Sequence, residues 1–206
     1  MGGAPGPRKG DTEPVAGLAL AVSAALSVLV MAHHPTGTAL AAGLGRLVHG
    51  ALMALVVVMF AGFCRFAVRR GLDRFTVMLA LALYSAATLA NLLAGTINGF
   101  VIPALLERNA YEQDALLLWT LNQTFAKAAV FAISAAFALW GADLAARGAG
   151  LARLLGAAGV IAGAAPAALL AGGVLDMKVA GAFLIYAGQA AFAAAAGIWL
   201  AAGGRT

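Results

Sequence analysis

All three histidines of the chain, His33, His34 and His49, fall close together, and two of them have a methionine one helical turn away. Met31 lies three residues before His34, and Met53 lies four after His49. Residues three or four apart share a helix face, so each of these imidazoles is paired with a thioether. Imidazole plus thioether suits copper(I), and a His/Met pair also ligates haem iron, so copper and haem are the cofactors this cluster would take. Met177 and the carboxylates of Glu107, Glu112 and Asp114 are further donors in the neighbouring connections. The alternative is structural: interfacial histidines act as amphipathic anchors, and methionine is a common apolar filler.

A second constellation is polar. Thr120, Gln123 and Lys127 fall on one face of an apolar run, and Tyr84, Thr88, Asn91, Gly95 and Asn98 form a stripe on another. Packed antiparallel, the two stripes predict a seam leading from Lys127, near the middle of its span, to Asn98 at the outer surface. No acidic residue lies within the predicted spans to neutralise Lys127. That leaves a neutral amine, a snorkelling side chain, or an anionic ligand from outside. Interhelical hydrogen bonding at about 0.6–2 kcal/mol each is the structural alternative for Asn91, Gln123 and the threonines.

The elements that must position these residues follow from composition. Hydrophobic residues make up 63% of the 206 and charged ones 10%, against roughly 45–50% and about 25% in a soluble domain, and the mean hydropathy is +0.95. These values exclude a disordered chain and a disulfide-stapled secreted domain. A net charge of +5 scattered between apolar runs, rather than gathered on one face, argues against a nucleic-acid partner. A bilayer core about 30 Å thick needs roughly 20 apolar residues per helix. Six runs meet that length, at 15–32, 47–64, 75–101, 115–140, 154–175 and 179–202.

The expected fold is therefore an all-α integral membrane helical bundle with six transmembrane helices. A disordered tail is expected over 1–14 and a single transmembrane domain over 15–203. Arg8, Lys9, Arg65, Arg69, Arg70, Arg74, Arg147, Arg153 and Arg205 flank one side of the spans, while the other side holds only Arg46, Arg108 and Lys178. The positive-inside rule then predicts both termini in the cytoplasm (N-in/C-in). Arg8 and Lys9 also allow the first run to be read as a signal peptide cleaved after Ala32, which would leave His33 as a copper-chelating N-terminus. That run is long for such a segment, so an uncleaved span is expected.

Pro35-Thr36-Gly37-Thr38 should end the first helix, and Asn98-Gly99 followed by Pro103 should break or kink the third. The single Cys64 excludes an intrachain disulfide and reads as a packing residue. The Gly/Ala-rich runs five and six read as close-packing faces, available to a homo-oligomer or to a partner in a membrane complex. Alanine enrichment fits a bacterium with a GC-rich genome, making the inner (plasma) membrane the expected location.

Four functions fit these features. The first is an externally open polar pocket binding a metal, haem or a small anionic or polar ligand, with Asn91, Asn98, Thr120, Gln123 and Lys127 on the ligand and His33, His34, His49, Met31 and Met53 on the metal. The second is a small-solute transporter using the polar seam, although polar residues thin out below Lys127. The third is a membrane enzyme pairing His34 or His49 with Glu107 or Glu112 as general acid and base. The fourth is an accessory subunit.

Overall fold

The computed structural model describes residues 12–34, 44–108 and 111–204, the side chains of 111–113 excepted. All regular structure there is helical: α1 (Thr12–Ala32), α2 (Leu44–Arg70), α3 (Phe75–Thr96), a π-helical turn (Ile97–Val101), α4 (Ile102–Glu107), α5 (Tyr111–Arg147), α6 (Leu151–Ala171) and α7 (Val179–Ala201). With α3, the π turn and α4 forming one continuous rod, six helices among the described residues are long and apolar enough to cross a membrane. Helix is the form that satisfies every backbone polar group within the segment itself.

α1 begins at Thr12, so 12–14, expected in the tail, form its first turn. Pro14 is tolerated there because the first N–H groups of a helix have no intrahelical partner. Glu13 complements the helix N-terminus and pairs with Arg65 and Arg69, each at 3.2 Å. The rest of the tail, with Arg8 and Lys9, the 35–38 turn and Arg205 lie outside the described residues.

Around the bundle the neighbours run α1, α2, α3, α5, α6, α7 and back to α1. Small residues set the two closest contacts. A Cβ on Gly197 would lie 2.6 Å from the backbone of Gly17 and Ala21, and a Cβ on Gly141 would lie 2.5 Å from the backbone of Val160. Gly156 and Gly163 of α6 are consumed against α5 in the same way, and a Cβ on Gly159 would lie 2.8 Å from the Phe192 ring of α7 and 3.0 Å from the backbone of Gly141. The glycine faces expected to meet another subunit therefore hold α6 to α5 and α7 to α1. What α6 and α7 leave outside is an apolar groove of about 670 Å³ between them, lined by Ile161, Leu169 and Leu184 among others.

Both described chain ends lie at one end of the bundle, where Arg69 donates to the carbonyl of Gly203 at 2.8 Å and meets Glu13. Beside them Arg70 places Nε and Nη2 on one oxygen of Asp143, at 2.9 and 2.6 Å, with both side chains 2% exposed. Arg74 and Arg147 hold the other oxygen at 3.4 and 3.3 Å. Above this ion cluster sits an aromatic layer. Phe63 stacks on Trp140 with centroids 4.9 Å apart and planes 7° from parallel, and Phe66, Tyr84, Phe137, Phe192 and Trp199 surround them. All of these rings are buried.

At the opposite, loop end the helices stop at different heights. α5 has 37 residues, roughly 55 Å at 1.5 Å each, while α6 has 21. α6 runs up α5 from the terminal end, so roughly the first 15 residues of α5, about 22 Å, extend past the α6–α7 loop. Gln123 marks that level, donating to the carbonyl of Met177 in the loop at 3.4 Å.

Candidate functional site

The loop end contains a partly open cavity of about 210 Å³. α1 supplies Met31 and the segment just past its end His34, α2 supplies His49 and Met53, α3 supplies Asn91 and the following π turn Asn98, and α5 supplies Gln123. The two constellations read separately in the sequence thus converge on one space. Its deeper wall is Met59 and Tyr186, and Met59 packs against the aromatic layer below.

The histidine pair is its most defined feature. His49 is 5% exposed, and its Nδ1 lies 2.7 Å from the carbonyl of Gly45. A carbonyl only accepts, so Nδ1 carries the proton and Nε2 of the neutral ring presents a lone pair. That Nε2 lies 3.1 Å from Nε2 of His34, with the rings edge to face at 80°. His34 therefore donates from Nε2 to His49.

Glycine makes room for this pair. A Cβ on Gly99 would lie 2.5 Å from Cβ of His49, and one on Gly95 would lie 3.0 Å from Cγ of Met53. The break expected at Asn98-Gly99 is instead a π turn, closed by Ile102 N–H donating to Ile97 O. Pro103 has no N–H for the ordinary α-helical bond, and the wider register carries the rod past it into α4. Turns of this kind occur frequently at functional sites.

Asn122 was not among the sequence candidates. It is buried and donates to the carbonyl of Ala94 at 2.9 Å, fixing α5 to α3 beside the cavity. Tyr186 donates to Oδ1 of Asn91 at 3.4 Å, tying α7 to α3. The signal for Asn122 was present, since it heads the buried series Asn122, Ala126, Ala129 and Ile133 at helical spacing. The polar residues were read as the inward stripe, whereas small alanines set the inward face.

Three expected site residues lie elsewhere. His33 is exposed, with its Nδ1 2.8 Å from its own helix's Leu29 carbonyl. Thr120 is exposed and donates to Leu116 O at 2.8 Å. Lys127 is exposed on the outside of α5 and does not line the cavity. The exposed apolar residues Leu116, Leu117 and Trp119 continue α5 past the packed bundle. Lys127 stands near the α6–α7 loop, where the Asp176 carboxyl is held below its usual range, chiefly by the Lys178 backbone N–H and in smaller part by the charges of Lys178 and Lys127.

No cationic side chain other than what the histidines can supply, and no carboxylate, lines the cavity among the described residues. Glu107 is engaged by Arg46 at 2.8 Å, Asp114 is exposed, and the Glu112 side chain lies outside the described residues. Nor do three or more His, Cys, Asp or Glu converge anywhere among them. No protein family, curated protein or solved structure matches this chain.

Proposed function

We propose that the chain is an integral membrane protein whose loop-end cavity binds a small ligand, with the imidazoles of His34 and His49 as its principal contacts and Asn91, Asn98 and Gln123 as hydrogen-bonding neighbours. The observation that carries this reading is the convergence of α1, α2, the π turn and α5 on one hollow with the Nε2–Nε2 contact in its wall. In this reading the arginine-rich end faces the cytoplasm and the cavity faces outward, supported by the positive-inside rule. The membrane is assigned as a bacterial inner membrane on the alanine-rich composition.

Two features favour a dead-end binding site over a transport pathway or an acid–base enzyme. The aromatic layer under Met59 fills the bundle between the cavity and the ion cluster, and among the described residues the cavity offers no carboxylate to pair with an imidazole. Cysteine accessibility tests the reading. In a Cys64→Ala background, Asn98→Cys and Gln123→Cys should react with a small membrane-impermeant thiol reagent from the outer face of oriented vesicles, while Ala87→Cys in the filled core stays unreacted. Protection of both cavity positions from the outside, or reaction from the arginine side, would overturn it.

A further inference from the structure

Resting on that cavity, the donor set points to what it takes: we propose a copper(I) site in which Nε2 of His34 and Nε2 of His49 hold the ion and the thioethers of Met31 and Met53 complete it. His49 is arranged as a ligand. Its Nδ1–H is committed to the Gly45 carbonyl, the outer hydrogen bond that commonly fixes the tautomer of a metal-binding imidazole. The two Nε2 atoms are 3.1 Å apart. Two nitrogens bound at about 2.0–2.1 Å to one tetrahedral ion stand roughly 3.3 Å apart, so the spacing changes by tenths of an ångström on binding, while each ring turns by roughly 35° to aim its lone pair at the ion.

The remaining donors select the ion. Met31, Met53, Met59 and Met177, four of the chain's six methionines, line this one cavity. Carboxylates and thiols are absent from its lining among the described residues. Hard divalent ions prefer oxygen, and structural zinc sites prefer thiolate and several imidazoles, whereas thioether with imidazole favours copper(I). Binding replaces the His34-to-His49 hydrogen bond, and the His34 proton moves from Nε2 to Nδ1. Both rings stay neutral, no proton is released, and no electron is transferred.

The test is a titration of detergent-purified full-length protein with copper(I), under anaerobic reducing conditions, against a chromogenic copper(I) chelator. Wild type should withhold one equivalent. His49→Ala and the volume-conserving pair Met31→Leu/Met53→Leu should each weaken binding by at least about 10–100-fold, the effect typical of disturbing a metal site. Reaction of Asn98→Cys with the thiol reagent, in each background, reports whether the cavity still exists. Cavity labelling without copper retention overturns the copper assignment and leaves the cavity reading standing, whereas loss of both overturns both. Retention unchanged by His49→Ala places copper elsewhere and overturns the site. Retention lost in His49→Ala but unchanged in the methionine pair overturns the thioether ligation.

Discussion

The two ends of this bundle are built from the same kind of helix and packed in opposite ways. At the terminal end, Phe63, Phe66, Tyr84, Phe137, Trp140 and Trp199 fill the interior, and Asp143 gathers three arginines from three segments of chain. At the loop end, Gly95, Gly99 and Ala94 thin the walls and leave a hollow edged by imidazoles, amides and thioethers. In lipid there is little hydrophobic gain from helix association, so stability rests on packing and interhelical polar bonds. On the proposed reading, stability rests on the filled end and the hollow end is left to hold a ligand.

Breaking the comparison is most direct at Asp143. Asp143→Ala leaves Arg70 buried without its partner and should cost about 3–5 kcal/mol, read as a large fall in the thermal unfolding midpoint in detergent. A change under about 1 kcal/mol would mean that this end is not what holds the bundle. Gly99→Ala comes next. Alanine is favoured over glycine in a helix by about 1 kcal/mol, but here the new Cβ meets that of His49. We expect a net loss of about 1–3 kcal/mol from overpacking, together with slower thiol labelling of Asn98→Cys as the cavity narrows. Stabilisation without any change in labelling would show that the π turn has slack.

His49→Ala sharpens the contrast because its structural cost should be smaller. It removes two hydrogen bonds at about 1 kcal/mol net each, so the midpoint should fall less than in Asp143→Ala while ligand binding disappears. Smallest of all is Lys127→Gln. With Lys127 on the outer face near the α6–α7 loop, stability should change by less than about 0.5 kcal/mol and cavity labelling should not change. A strong effect on labelling would return Lys127 to the site.

Much of this division could be read in the residues, for reasons that also explain what could not. The apolar run lengths located six spans because bilayer thickness imposes a length on each. The His49/Met53 spacing identified a shared face of α2 because helical periodicity is local, whereas α1 ends at Ala32, two residues before His34. The facing of α5 was harder: Lys127 follows Gln123 by four residues, yet Gln123 lines the cavity and Lys127 is exposed outside it. Asp143 lay just past the end of its apolar run at 140 and so escaped notice, although Arg147 one turn later was a signal for it. Which helix a glycine face meets depends on tertiary order, so Gly156 and Gly197 read as surfaces for another subunit when their partners were α5 and α1.

Thermal unfolding with and without copper(I), on wild type, His49→Ala and Asp143→Ala side by side, tests the division of labour most directly. A ligand that binds only the folded state stabilises it by about 2.7 kcal/mol at a hundredfold excess over its Kd. Wild type should shift upward, Asp143→Ala should start lowest and show the same shift, and His49→Ala should start between the two and show none. An upward shift that survives in His49→Ala, or one that vanishes in Asp143→Ala while its cavity still labels, would contradict the account.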